Sequence, residues 1–206
     1  MGEVLKKMKK VNLRENYKEL RDEELVKLSL ENSDFFYYLV KRYKTKLANY
    51  IRRISNFPKE TVEDILQEIF IKVYQNLAGF DKHLKFSSWI YRIAHNQTIS
   101  SFRKFKSRGE DKIIVEDEKL LSIVDKSFDI RKEAHKKELI KAVRDTLEKV
   151  PLKYREVLIL RLIEEKDYNE ISDILKKPVN TISTLIRRGR EYFKKYAEKN
   201  NLKKFI

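Results

Sequence analysis

Glycine and proline are scarce in this chain, which has four glycines and three prolines among its 206 residues. Tight hairpin turns depend on residues that adopt positive φ, glycine above all, so a protein built from many hairpins would lack its turn residues here. Apolar residues instead recur at spacings of three and four, which is the period of one face of an α-helix. The sequence therefore predicts an all-α protein.

The charge balance and the missing residue types restrict the function. The chain has 47 lysine and arginine residues against 32 aspartate and glutamate residues, a formal net charge of +15, so nucleic acid is the expected partner. It shows no apolar run of about eighteen residues and no secretory signal pattern, which predicts a soluble, cytoplasmic protein without membrane insertion. Cysteine is absent and the three histidines are widely spaced. We therefore expect no cofactor, no metal site and no catalytic residue.

The apolar pattern divides the chain into helical segments. Long helices are predicted within 22–54, 61–77 and 85–105, with breaks at Asn56-Phe57-Pro58 and at Gly79. Residues 107–133 lose the helical period and are rich in acids, which indicates a linker. Further helices are predicted over 134–149, 154–164, 168–175 and 178–196. The last two are joined by a tight turn and have the proportions of a helix-turn-helix.

The second helix of the predicted helix-turn-helix has an apolar face and a polar face. Ile182, Ile186 and Gly189 would pack on the preceding helix. The predicted DNA contacts on the opposite face are Asn180, Thr181, Ser183, Thr184, Arg187 and Arg188. Short polar groups near a helix start suit base edges in the major groove, and arginines suit phosphates or guanine. The alternative is an ordinary solvated basic face.

Four blocks of sequence, in this order, resemble the extracytoplasmic-function group of RNA polymerase sigma factors. The blocks are DEELVKLSLENSDFFYYLVKRYKTKL, VEDILQEIFIKVYQNLAGFD, KFSSWIYRIAHNQTISSFRK and PLKYREVLILRLIEEKDYNEISDILKKPVNTISTLIRRGREYF. The resemblance implies a non-enzymatic protein of two helical domains joined by a linker, the C-terminal one with a helix-turn-helix. It also implies that the second block docks on core RNA polymerase. The third would engage and melt the −10 element of promoter DNA, and the last would read the −35 element.

The resemblance also gives the expected domain boundaries. They are a basic N-terminal segment at 1–20, a sigma region 2-like domain at 21–106, an acidic linker at 107–133 and a sigma region 4-like domain at 134–206. The linker would thread the active cleft of the polymerase, and the alternative is a simple tether. An anti-sigma factor that holds the two domains shut is a further partner that the family implies.

The second predicted helix carries the candidate polymerase contacts. Asp64, Gln67 and Glu68 lie three or four residues apart and form an acidic and amide patch on an otherwise basic protein. Such a patch suits a basic protein partner, which the resemblance identifies as core polymerase. Two alternatives are open: acids that stabilise a helix N-terminus, or carboxylates of a metal-dependent nuclease, for which no further ligand is nearby.

The third block combines aromatic and basic residues, as a protein that opens a duplex requires. The candidate contacts to the −10 strand are Lys85, Ser87, Ser88, Arg92, His95, Asn96 and Arg103. His95, Asn96 and Arg92 are predicted to face outward, and Trp89 is expected in the core. The loop at 79–85 is the expected place for a flipped-out base.

Two points qualify the resemblance. Lys176 stands where relatives usually have glycine in the helix-turn-helix turn, and a lysine at positive φ costs on the order of 1 kcal/mol, so a looser or differently shaped turn is expected. The motif alone would also fit a stand-alone helix-turn-helix regulator that binds DNA without polymerase. Binding to core polymerase is what separates the two functions.

Overall fold

The computed structural model describes residues 17–81, 83–107, 120, 123 and 133–199. Most of these residues are helical and none of them lies in a strand, which confirms the all-α prediction. The N-terminal half consists of α1 (Asp22–Glu31), α2 (Phe36–Ser55), α3 (Lys59–Gln75) and α4 (Phe86–Ser107). The C-terminal half consists of α5 (Glu133–Lys149), α6 (Leu152–Leu158), α7 (Tyr168–Leu175) and α8 (Val179–Lys199). Short helical turns lie at Ser33–Phe35, Leu77–Gly79 and Ile159–Ile163. Most of the predicted N-terminal segment and of the predicted linker lies outside the described residues.

Local signals in the sequence set several helix ends. Asn56 ends α2 in the left-handed conformation, with φ 54° and ψ 36°, and its N–H donates to the Arg52 carbonyl at 2.8 Å. Pro58 then precedes the first residue of α3. Proline has no N–H, but none is needed here, because the first N–H groups of a helix have no partner within it. Asp167 and Glu170 form a reciprocal capping box at the start of α7. These ends agree with the sequence prediction to within a few residues.

The predicted helix at 154–164 is interrupted. α6 ends at Leu158, and a wide π-helical turn follows from Ile159 to Ile163. The next N–H groups bond back across this turn, from Glu164 to Ile159 and from Lys166 to Leu160. This path places Glu164 and Lys166 beside the N-terminal half.

The N-terminal half is built on an aromatic-rich core. Tyr50, Phe57, Phe86 and Ile90 are fully buried. Each such side chain contributes roughly 1.5–3 kcal/mol of burial free energy. Trp89 is 8% exposed and packs against Phe86, which confirms the prediction that it belongs to the core.

The C-terminal half has a smaller core between α6, α7 and α8. Ile171, Ile182 and Ile186 are buried, as the helix-turn-helix pattern predicts. Gly189 is buried where α8 passes closest to α6. A Cβ atom there would lie 3.1 Å from the Leu158 Cγ, so glycine permits this close approach.

The turn of the helix-turn-helix keeps a regular cap in spite of its lysine. Lys176 ends α7 in the left-handed conformation, with φ 52° and ψ 48°, and its N–H bonds to the Ser172 carbonyl. The expected looser turn is therefore not observed. The lysine takes the conformation that glycine usually supplies, at a cost on the order of 1 kcal/mol.

We predict that Lys176→Gly raises the free energy of unfolding by about 0.5–1 kcal/mol, because glycine adopts positive φ without steric cost. Chemical denaturation of the full chain measures the difference. Lys177→Gly is the matched control, since Lys177 is the same residue type one position on and has no positive φ. The control should lose stability, and an equal loss in both variants would contradict the strain at Lys176.

The two halves pack against each other. α4 lies against α7, and α2 lies against α6. Buried apolar residues from both halves belong to one connected core. The sequence predicts separate working surfaces for the two domains, whereas here part of those surfaces face each other. The domain boundaries themselves stay predictions.

Candidate protein and nucleic-acid interfaces

The candidate protein-binding residues lie together on the exposed side of α3. Asp64, Gln67 and Glu68 are all exposed. The other side of the helix is buried through Val62, Ile65, Leu66, Ile69 and Val73, which fixes its orientation. The carboxylate of Glu68 accepts a hydrogen bond from the Gln97 amide of α4. The structure thus presents an acidic and amide surface to solvent.

This surface continues into two exposed apolar side chains, Ile71 and Tyr74, which the sequence did not predict as part of it. Ile71 is 54% exposed and lies one helical turn beyond Gln67 and Glu68 along α3. Tyr74 is 50% exposed and lies one further turn along. The ring of Phe36 packs edge-on against Tyr74, with centroids 5.1 Å apart. Neighbouring apolar side chains that form an exposed patch with a polar rim commonly mark a protein-binding surface. In the sequence, both can be recognised as apolar residues that fall outside the buried stripe of α3.

The nuclease alternative finds no support in the geometry. Among the described residues, no group of three or more His, Asp or Glu side chains is placed to hold a metal ion. In the same part of the chain, no helix is long and apolar enough to cross a membrane.

The predicted −10 contacts divide between two faces of α4. Arg92 is half-buried, and Asn96 and Arg103 are exposed. The first two line an open groove of about 690 Å³ between α3 and α4. Its other polar lining includes Lys72, Gln75, Asn76 and Gln97, and Trp89 lines it as well. Amides, cations and an aromatic ring are what an unstacked base and its backbone need.

Of the remaining predicted −10 contacts, Lys85, Ser87 and His95 face the C-terminal half, and Ser88 is buried. Lys85 Nζ lies 3.4 Å from an Asp167 carboxylate oxygen, and the Ser87 hydroxyl donates to Glu170 at 3.4 Å. Ser88 is 1% exposed and His95 is 8% exposed. The prediction that His95 faces outward is wrong for this arrangement. Glu156 of the C-terminal half lies against His95, and Ser88 is buried about two turns earlier along the same polar stripe.

Burial shifts the pKa values of His95 and of its neighbour Glu156. The His95 Nε2 lies 3.6 Å from a Glu156 carboxylate oxygen, and its Nδ1 pairs with the Tyr50 hydroxyl at 3.1 Å. Burial and, to a smaller extent, Lys177 lower the pKa of His95 to about 4. Burial raises the pKa of Glu156 to about 7. His95 is therefore neutral at pH 7 and offers no cation to a phosphate while the halves are together.

The candidate duplex contacts on α8 form one accessible face. Asn180, Thr181, Ser183, Thr184, Arg187 and Arg188 are all exposed. Ile182, Ile186 and Gly189 are buried on the opposite side, so the predicted orientation of the helix is confirmed. Arg187 pairs with Glu191 at 2.6 Å, whereas Arg188 has no hydrogen-bond or ion-pair partner among the described residues. The role of these residues in DNA binding stays a prediction.

Comparison with known proteins places two family models on the chain. "Sigma-70 region 2" matches residues 39–108, and "Sigma-70, region 4" matches residues 140–192. The first covers α3 and α4 with most of α2, and the second covers the helix-turn-helix.

Curated relatives match most of the chain. The chain is 38% identical over 168 residues to the ECF RNA polymerase sigma factor SigW of Bacillus subtilis, covering 80% of this chain and 89% of the relative. It is 31% identical over 180 residues to the ECF RNA polymerase sigma-E factor of Haemophilus influenzae, covering 84% of this chain and 93% of the relative.

Solved structures share the fold. CnrH in complex with the cytosolic domain of CnrY matches with a TM-score of 0.64 and 23% identity, over 86% of this chain and 97% of that chain. The sigma factor RpoE of Bartonella quintana, in complex with the anti-sigma factor NepR, matches with a TM-score of 0.57 and 18% identity. That match covers 79% of this chain and 96% of the RpoE chain. At these identities the likeness concerns the fold.

Proposed function

Because the chain belongs to the extracytoplasmic-function group of RNA polymerase sigma factors, we propose that it binds core RNA polymerase, directs it to specific promoters and helps to melt the −10 element. It is a transcription-initiation factor and not an enzyme. The observation that carries the proposal is the presence, in one chain and in order, of a region 2 match and a region 4 match. A stand-alone helix-turn-helix regulator would need only the second.

The acidic surface of α3 is the proposed contact to core polymerase. Its charged and amide part is formed by Asp64, Gln67 and Glu68, and its apolar part by Ile71 and Tyr74. Binding surfaces commonly combine an apolar centre with a polar rim, and a negative patch on a chain of net charge +15 selects a positively charged partner. The chain therefore has one face for a basic protein and others for DNA.

The groove between α3 and α4 is the proposed site for the unpaired −10 strand. Arg92 and Asn96 line it, and Arg103 lies further along α4 on its exposed surface. A strand laid along this face would meet cations for its phosphates and amides for its base edges. Lys85, Ser87, Ser88 and His95 would join the contact only once the C-terminal half moves away from α4.

The exposed face of α8 is the proposed reader of the −35 element. Asn180, Thr181 and Thr184 place short polar groups in the first two turns, where a recognition helix approaches base edges. Arg187 and Arg188 follow one turn later and would reach guanine or the phosphates.

Two further elements belong to the proposal. An anti-sigma factor is a proposed partner, and one of the structurally similar proteins is bound to such a factor. Since the activity requires RNA polymerase, a cytoplasmic location is proposed as well.

The experiment that tests the proposed function uses purified core RNA polymerase from the source bacterium. We expect the chain to co-elute with the core enzyme in gel filtration at moderate salt. We also expect the mixture to start transcription at discrete sites on a genomic library, which identifies the promoters. Failure to co-elute, together with a specific DNA footprint in the absence of polymerase, would favour the stand-alone regulator instead.

A further inference from the structure

The exposed side of α3 forms one stripe that changes from acidic to apolar along the helix, here called the α3 stripe. Glu60, Asp64 and Gln67 lie at its start and Ile71 and Tyr74 at its end, at spacings of three and four residues. Glu60 and Asp64 have no hydrogen-bond or ion-pair partner among the described residues. The α3 stripe therefore places carboxylates without partners next to two half-exposed apolar side chains.

The N-terminal segment has the complementary pattern in its sequence. Val4, Met8 and Val11, with Leu5 beside them, recur at spacings of three and four, which is the period of one helix face. The cations of the same stretch fall on the other side of that period, and they are Lys6, Lys7, Lys9, Lys10 and Arg14. No acidic residue lies between Val4 and Arg14. A basic amphipathic stretch of this kind favours a partner that is both apolar and negatively charged.

The two faces of this stretch favour the α3 stripe over DNA as the partner. Positive charge alone would suit DNA, but the phosphates and sugars of a duplex give the apolar face of the stretch little to pack against. The α3 stripe supplies carboxylates for the lysines and apolar side chains for the apolar face. It also belongs to the same chain, which removes most of the entropic cost of bringing the two together.

The described chain begins near the apolar end of the α3 stripe. Tyr17 stacks on Tyr38 with ring centroids 4.4 Å apart, and the Arg42 guanidinium donates to the Tyr17 carbonyl at 2.7 Å. Tyr38 lies in the first turn of α2, and Phe36, the first residue of that helix, packs against Tyr74 of α3. The N-terminal segment is therefore tethered at the end of α2 that meets the apolar end of the α3 stripe.

The lengths of the segment and of the stripe also agree. Residues 12–16 span up to about 16 Å when extended, which is enough to lead from Tyr17 past the end of α2. A helix over 4–11 would be about 12 Å long, and the distance along α3 from Asp64 to Tyr74 is about 15 Å. The stretch would then lay its apolar face on the apolar end of the α3 stripe and its lysines beside the carboxylates.

We propose that residues 4–14 dock on the α3 stripe of the same chain and so compete with core RNA polymerase for this surface. The inference rests on the proposed role of α3 as the polymerase contact. A short tether gives an effective concentration in the millimolar range, so a weak contact is enough to keep the segment in place. Polymerase then has to displace the segment before it contacts α3.

The first test detects the docking without polymerase. The chain has no cysteine, so Met8→Cys with Ile71→Cys introduces the only two thiols. The control is Lys10→Cys with Ile71→Cys, because residue 10 has a similar tether and lies on the opposite side of the helical period. We expect a short bismaleimide to cross-link the Met8→Cys pair at least about tenfold faster, since only docking makes the tethered thiols differ by face. Mass spectrometry of the monomer measures the rates.

Equal cross-linking rates would overturn the proposal, because a segment that moves freely presents both of its faces alike. A membrane surface is the competing partner, and it has its own readout. With equal rates, sedimentation of the chain with vesicles of phosphatidylglycerol and phosphatidylethanolamine, and not of a chain that lacks residues 1–14, would identify the stretch as a membrane anchor instead.

The second test measures the competition with a matched pair of substitutions. Met8→Glu places a carboxylate on the face that meets the α3 stripe, whereas Leu13→Glu makes the same charge change on the lysine side. We expect Met8→Glu to raise the affinity for core polymerase about tenfold, which follows if roughly nine-tenths of the free chain is docked. Leu13→Glu should change it little. A competition titration gives both affinities, and equal values would refute the competition.

The two readouts separate this inference from the proposed function. If no variant co-elutes with polymerase, the sigma function is contradicted, while a faster reaction of the Met8→Cys pair still supports docking on α3. If the chain co-elutes but shows neither the difference in cross-linking rate nor the difference in affinity, the sigma function is supported and the docking is overturned.

Discussion

Charge reversal at Asp64 and Glu68 is expected to abolish co-elution with core RNA polymerase while leaving the helical fold intact. Both carboxylates lie on the exposed face of α3, and the buried stripe of the helix is untouched by the substitutions. Close charge pairs across protein interfaces have coupling energies of about 1.5–7 kcal/mol. Losing two such acids and adding two repulsive lysines should therefore raise the Kd at least about 100-fold, since each 1.4 kcal/mol is tenfold.

The measurement compares Asp64→Lys plus Glu68→Lys with a control of the same charge change, Glu19→Lys plus Glu31→Lys. Both control residues are exposed and lie outside α3. Gel filtration with core polymerase and a competition titration give the affinities, and far-ultraviolet circular dichroism checks the fold. If the two double variants lose polymerase affinity equally, the loss reflects net charge and α3 is not the docking surface.

Helix positions could be predicted well because their signals are local. Asn56 and Pro58 end one helix and start the next through their own backbone preferences, and Asp167 with Glu170 makes a cap within four residues. The outward face of α8 follows from the helical period alone, since burying Ile182 and Ile186 directs Arg187 and Arg188 to solvent. These features need no knowledge of the rest of the chain.

The contact between the two halves could not be predicted from the sequence. The period of apolar residues identifies apolar faces of helices, and it gives no sign of polar faces that become buried against each other. Ser88 and His95 lie off the main apolar stripe of α4, so the pattern assigns them to solvent, yet both are buried. Arg53 and Arg155 are charged and still buried. Arg155 donates to the Ile54 carbonyl at the end of α2, to the Glu148 carbonyl in the last turn of α5 and to the Val150 carbonyl just after that helix. Such pairings depend on how distant segments meet.

Ile71 and Tyr74 illustrate the opposite error. Both residues lie outside the buried stripe of α3, and their apolar character alone gives them no function. Many apolar side chains remain exposed in folded proteins, so only their place beside Asp64, Gln67 and Glu68 gives these two a meaning. That these side chains share one exposed surface is visible only in the folded structure.

Arg188→Ala is the second variant for which a large effect on function is expected. The Arg188 guanidinium is exposed on α8 and has no hydrogen-bond or ion-pair partner among the described residues, so its donors are available to DNA. A bidentate contact to a base is worth about 1–3 kcal/mol, which corresponds to a loss of roughly 5- to 150-fold in transcription from promoters that depend on the −35 element. Arg187, which is paired with Glu191, should give a smaller loss.

Transcription by the reconstituted holoenzyme from a promoter library with a randomised −35 element distinguishes the possible roles of Arg188. A base contact relaxes the sequence preference at one position, whereas a phosphate contact weakens all sequences about equally and lowers the salt dependence of binding. Lys195→Ala is the control, because Lys195 is an exposed cation on the same helix, about two turns further along. A base contact and a phosphate contact of Arg188 both predict that Arg188→Ala lowers transcription much more than Lys195→Ala does. Equal losses would mean that this part of α8 contributes only general positive charge, and the −35 contact would then have to lie nearer the helix start, at Asn180, Thr181 or Thr184.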